Sequence, residues 1–222
     1  MVRITDDSGT VTKCILDPYH EELQALEQVV RDETYEREIA VNLMGRCGLR
    51  ADEVTYPSRS SLRWSESGGC WFLEVKGKNT SGEDGTKKTR DTWVPDEVAK
   101  NIQRFSNRHR DPDEPLVDVA TSTVRRWVHE ARATLADERG DRWEYVSSHD
   151  LRRSWATYWL VERGISVRTM MNIGGWSSYD AIEPYLGAPT DERIGEVMGS
   201  ADRGDRGRRG RGPAPDRRDR RV

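Results

Sequence analysis

Long apolar runs are missing from this chain. No stretch approaches the length of a bilayer span, and the opening MVRITDDSGT is polar, so neither a membrane segment nor a signal peptide is expected. Cysteine is nearly absent. Cys14, Cys47 and Cys70 are odd in number and far apart, which offers no disulfide framework and no metal-ligand spacing; a reducing cytoplasm is the expected setting. Lysine is scarce too, with six Lys against thirty Arg. An acidic, Arg-rich, Lys-poor composition is what a GC-rich genome or a salt-loaded cytoplasm produces, and in high salt recognition depends on short-range contacts. Apolar residues make up only 34%, equal to the charged fraction, so the core has to be modest and lean on eight Trp and seven Tyr. At 222 residues the chain suits one domain with a small appendage.

Charge is unevenly spread. Nine Arg against four Asp give residues 201–222 a charge of +5, which leaves −8 on residues 1–200 from a total of −3. Patterning predicts a helix from Asp17-Pro18 to about Arg31, with Asp17 as cap and Pro18 in the first turn. Thr34 then caps a second helix, which Gly45 and Gly48 end. The stretch 48–54 reads as a tight turn opening a short helix. Strands are predicted at 61–65 and 70–75 around a Gly68-Gly69 turn, and at 90–94 after a polar loop at 76–89. Helices follow at 95–108, 122–138, 148–163, 166–173, 178–187 and 190–198. The last 22 residues are low in complexity and expected to be disordered. The fold class is therefore α+β, mainly α, with one small three-stranded antiparallel sheet near the front.

Four places carry residue types that suit chemistry on a phosphate. Arg50, after Gly48-Leu49, sits at a helix start where its fork can face an anion; alone it reads as a surface arginine. Lys76-Gly77-Lys78-Asn79 puts lysines at a hairpin tip, where one of them can protonate a leaving oxygen; alone it is a solvated loop. In His149-Asp150-Leu151-Arg152 the three-residue spacing places His149 and Arg152 on one helix face, after Ser147-Ser148 as caps. Gly174-Gly175-Trp176-Ser177-Ser178 precedes Tyr185 by a short interval, and a lone Trp or Tyr is ordinarily core.

Taken in order, these boxes resemble the tyrosine recombinase (phage integrase) family over residues 17–198. Arg50 matches the first catalytic arginine, Lys78 the hairpin lysine, His149 and Arg152 the His-x-Leu-Arg box, Trp176 the His position of Gly-His-Ser-Ser, and Tyr185 the nucleophile. The sequence departs from the family pattern in three ways. Trp176 donates one N–H and cannot accept. Residues 81–86 lengthen the hairpin loop and leave Lys76 as an alternative to Lys78. About sixteen residues stand where the family carries a helical DNA clamp. The expected organisation is an extension at 1–16, a catalytic domain at 17–199 and an Arg-rich tail at 200–222.

The resemblance implies the catalytic-domain fold, a double-stranded DNA substrate, a homo-oligomer on DNA (a tetramer in the synaptic complex), no cofactor and no metal. It implies cleavage by Tyr185 through a 3′-phosphotyrosyl ester, with Arg50, Arg152 and Trp176 on the phosphate, Lys78 as acid and His149 as base. Glu53 and Asp150 are expected to orient these groups. Two other readings keep the fold: a regulator that binds DNA without cutting it, and an enzyme that relaxes DNA by the same chemistry without strand exchange.

Overall fold

The computed structural model describes residues 2–5, 11–77, 89–109, 111–186, 194–195 and 198–199. Lys78, the lengthened loop and the tail lie outside the described residues. The chain divides into two units, residues 1–186 and 187–222. Of the second, Ile194–Gly195 and Met198–Gly199 are helical.

Strands β1 (Val2–Thr5) and β2 (Val11–Ile15) pair antiparallel. This hairpin occupies the segment expected to be a plain extension, so the described residues hold two small sheets rather than one. It is tied into the domain: the Cys14 N–H donates to Asp150 Oδ1 (3.1 Å) and the Leu16 N–H to Ser154 Oγ (2.9 Å). Helix α1 spans Tyr19–Glu33, and Asp17 does not cap it. Pro18, with ψ 133°, is the cap; its carbonyl accepts the first helical bond from the Glu22 N–H (3.0 Å) while Tyr19 is buried.

Helix α2 (Tyr35–Cys47) starts as expected, with the Thr34 hydroxyl accepting the Arg37 N–H at 3.2 Å, a cap of roughly 1 kcal/mol. Its buried residues run Glu38 through Gly45 and then Cys47, so it is enclosed on all sides, by α1 and the later helices. Enclosure forces its polar groups into partnership. Glu38 pairs with Arg31 (2.7 Å), and the Asn42 amide donates to Glu27 (2.9 Å). Gly45 does not end the helix; a Cβ there would meet Leu23 Cδ1 at 2.4 Å. Gly48 ends it with φ 71°. A side chain at Gly48 would also strike the Trp155 ring at 2.3 Å.

Residues 51–55 form turns and not the short helix expected, and the Glu53 carboxylate accepts the Arg50 N–H (2.8 Å). Strands β3 (Leu62–Ser65), β4 (Cys70–Lys76) and β5 (Thr89–Val94) make the predicted antiparallel sheet, in the order β3-β4-β5. Leu73, Val75, Thr92 and Val94 are buried on its inner face, and the Thr92 hydroxyl donates to the Cys47 carbonyl (2.9 Å).

Helices α3 (Asp96–His109) and α4 (Thr121–Arg139) follow. Helix α5 (Ser148–Thr157) stops earlier than its apolar pattern predicts and widens into a π turn at Tyr158–Glu162. There Tyr158 stacks on Tyr19 (4.6 Å) and Trp159 meets Trp93 edge-on (5.4 Å). Helix α6 (Val167–Gly174) follows, and the helix expected at 178–187 is instead a short α7 (Tyr179–Ile182) and a 3₁₀ turn, Glu183–Tyr185. Pro184 has no N–H to continue an α-helix.

Candidate active site

The N-terminus of α5 is a rigid mount. Asp150 closes it against Ser147: the Ser147 N–H and hydroxyl both donate to Asp150 Oδ2, at 3.0 and 2.6 Å, and the Asp150 N–H donates to the Ser147 carbonyl at 3.0 Å. Asp150 Oδ1 takes the Cys14 N–H and an Arg153 N–H. Asp150 is thus spent on structure. Its neighbour His149 stays at the surface with its ring only partly desolvated, and Arg152, three residues on, points inward.

Arg152 is fully buried. Its terminal nitrogens donate to the carbonyls of Gly48 and, at 2.6 Å, Gly174. One terminal nitrogen lies 3.8 Å from Glu53, and Nε has no hydrogen-bond partner among the described residues. The Trp176 ring covers the guanidinium, with the cation 4.2 Å from its centroid, and Trp176 in turn stacks on Trp155 at 6.2 Å. Burial pulls the Arg152 guanidinium below its ordinary value, with Arg50 acting the same way and Glu53 opposing.

Glu53 is the common anion. Its buried carboxylate accepts from Arg50 Nη1 (2.7 Å) and from the Arg90 fork at 2.9 and 3.0 Å. Burial alone would raise the Glu53 carboxyl, but Arg90, Arg152 and the Arg50 N–H outweigh it and hold the group below its ordinary value. Arg50 keeps 30% of its side chain exposed. Together with Arg90, Trp176 and Ser177 it lines a cleft of about 540 Å³, also bounded by Gly77, Thr89, Met171 and Asn172.

Tyr185 sits in the 3₁₀ turn with only 9% exposed. Its ring lies 5.3 Å from that of Trp176, tilted by 57°. Its hydroxyl is 3.5 Å from His149 Nε2, the outer limit of a hydrogen bond. Burial lowers the His149 imidazole from its ordinary value, and Arg153 and Arg152 push the same way. The shift favours the neutral ring, the form that can accept a proton.

The structure brings Arg50, His149, Arg152, Trp176 and Tyr185 into one connected cluster. Lys78 falls outside the described residues. Lys76 is exposed with Nζ 5.8 Å from the Tyr56 ring, and Gly77 next to it lines the cleft. Sequence reasoning missed Arg90. The signal was present: Arg90 shares the inward face of β5 with Thr92 and Val94, and a charge on a buried strand face needs a buried partner.

The fold matches those of known recombinases. XerA recombinase superposes with a TM-score of 0.63 at 19% identity, over 87% of this chain and 67% of that one. The XerH site-specific recombinase bound to its difH substrate gives 0.60 at 14%, over 87% and 58%, and the Tn1549 transposon integrase with transposon right end DNA gives 0.64 at 17%, over 90% and 68%. The chain thus spans less than two thirds of XerH. No curated protein matches it. The phage integrase family pattern matches residues 18–190, a stretch that holds every residue of the cluster, and the chain belongs to that family, the tyrosine recombinases.

Proposed function

We propose that this chain is the catalytic domain of a site-specific DNA recombinase that cuts and rejoins strands through Tyr185. The observation that carries the reading is the placement of the Tyr185 hydroxyl 3.5 Å from His149 Nε2, with the Trp176 ring against both Tyr185 and the guanidinium of Arg152. A phenol has a pKa of about 10, so attack at neutral pH needs an acceptor or a positive field, and both are adjacent.

In the reaction, Tyr185 Oη forms a bond to phosphorus and passes its proton to His149. The bond to the 5′-oxygen breaks, and that oxygen takes a proton from Lys78, with Lys76 as the alternative. A 3′-phosphotyrosyl ester conserves the energy of the broken ester, so rejoining needs no ATP. Charge gathering on the non-bridging oxygens meets Arg50 and the Trp176 N–H in the cleft, with the buried Arg152 acting through its field. The substrate is double-stranded DNA, and strand exchange requires four protomers on two duplexes. Residues 17–199 form the catalytic domain. The tail arginines of 200–222 offer further phosphate contacts.

The test is covalent capture from a pool of random-sequence nicked duplexes, in which the departing strand cannot religate. The wild type should trap DNA with the linkage mapped to Tyr185, EDTA should leave the yield unchanged, and Tyr185→Phe should bind DNA but trap none. An adduct mapped to Tyr179, or one that survives in Tyr185→Phe, overturns the assignment.

A further inference from the structure

Resting on the recombinase reading, we infer that Arg90 is a positioning residue for the cleavage step: it occupies Glu53 so that Arg50 and Arg152 keep their charge available to the phosphate.

Three guanidinium groups converge on one carboxylate. Arg50 gives Glu53 one terminal nitrogen at 2.7 Å, Arg90 gives both of its own at 2.9 and 3.0 Å, and Arg152 stands at 3.8 Å. Three positive charges against one negative leave a surplus of +2. A phosphodiester carries one negative charge, and attack by a phenolate adds a second, so the surplus equals the charge of the pentavalent transition state. Among the described residues, Arg50, Glu53 and Arg90 are the charged residues that line the cleft, and Arg152 lies buried against the Trp176 ring. Removing Arg90 halves the surplus. It also leaves the buried Glu53 to be neutralised by Arg50 and Arg152 alone, which draws both towards the carboxylate and away from the cleft.

Arg90 also joins two segments that arrive from opposite ends of the sequence. Its Nε donates to the Ile173 carbonyl (3.2 Å), just ahead of the turn that carries Trp176. Gly175 in that turn has φ +70°, and a Cβ on it would lie 2.7 Å from Arg90 Cδ and Nε. Backbone conformation and space thus both demand glycine where the arginine crosses. The fork on Glu53 and the bond to Ile173 fix the distance between the Arg50 turn and the Trp176 turn. Arg90 retains 12% side-chain exposure, and the bidentate pair uses both of its terminal nitrogens.

The experiment compares wild type, Arg90→Ala and Arg90→Lys on the duplex recovered by covalent capture, reading release of the 5′-terminated strand. A second duplex carries a methylphosphonate at the scissile position, which removes the phosphate's negative charge. DNA affinity and thermal melting are measured alongside. Arg90→Ala should cut the phosphodiester at least about tenfold more slowly at saturating DNA, and Arg90→Lys should recover only part of that, since an ammonium lacks the fork. On the methylphosphonate the gap between wild type and Arg90→Ala should shrink severalfold. A loss of equal size on both substrates assigns Arg90 to structure alone and overturns the inference, as does full activity in Arg90→Ala. If Arg90→Ala fails to fold, the same two-substrate comparison on Arg90→Lys decides. A wild type that cuts neither duplex brings down the recombinase reading itself and the inference with it, an outcome distinct from the other two.

Discussion

Arg50 and Arg152 carry the same group and face the same carboxylate, yet they live in different media. Arg50 lies on a turn at the cleft, partly exposed, with one terminal nitrogen on Glu53. Arg152 lies on α5 beneath Trp176, fully buried, with its terminal nitrogens on the carbonyls of Gly48 and Gly174. The first is placed to meet an incoming anion. The second holds the Gly48 turn against the Gly174 turn, and its charge reaches the cleft through space. Equivalent chemistry in sequence therefore divides into a contact role and a framework role.

That division predicts a large asymmetry under mutation. Arg152→Ala strips two buried carbonyls of their donor and leaves a hole under Trp176, so unfolding in urea should show a loss of about 3–5 kcal/mol, together with cleavage. A cost below about 1 kcal/mol would break the comparison. Arg50→Ala should cost the fold only about 1 kcal/mol or less, because the pair with Glu53 is partly screened. Its cleavage rate at saturating DNA should nonetheless fall by about 10² to 10³. Similar stability losses in the two variants would show that both arginines belong to the framework.

Much of this arrangement is legible in the sequence. The Gly68-Gly69 turn and the Thr34 cap rest on local rules, and each fell where those rules put it. What escaped is non-local. The β1–β2 hairpin and the residue after it are tied down by Asp150 and Ser154, which accept the Cys14 and Leu16 N–H groups from more than 130 residues away. The break between α5 and the π turn goes with aromatic partners on α1 and β5. Arg90 belongs to the site only because β5 delivers it to Glu53 and α6 ends beside it. Spacing along one helix can be read from a string; a carboxylate shared by three arginines cannot.

The mount of α5 gives the next test. Asp150 satisfies the Ser147 N–H and hydroxyl, the Cys14 N–H and Arg153 at once. Asp150→Ala should cost about 2–3 kcal/mol in urea unfolding, more than an ordinary cap, because it orphans the hairpin as well as the helix end. The β1–β2 hairpin should then lose amide protection ahead of the rest of the domain. Uniform loss of protection would mean that the hairpin is not held through Asp150.

The smallest effect expected is a shift in pH dependence, and it concerns His149, beside the nucleophile. His149 is held below its ordinary 6.5 by burial first, then by Arg153 and Arg152, with only Asp150 opposing. The imidazole therefore protonates later in the folded protein than in the unfolded chain as pH falls. Two consequences have the same sign. Stability linked to His149 is complete above 6.5 and is lost as pH drops through the lowered value, since the unfolded chain binds the proton first. Cleavage, which needs the neutral ring to take the Tyr185 proton, should stay level down to 6.5 and decline only below it. His149→Gln removes the titrating group while keeping a side chain of similar reach, so its rate should be lower at neutral pH and the acid limb should vanish. Single-turnover cleavage across pH 5 to 8 reads both. A limb centred at or above 6.5 would mean that His149 keeps its charge beside Tyr185, and an unchanged limb in His149→Gln would pass the proton to another acceptor.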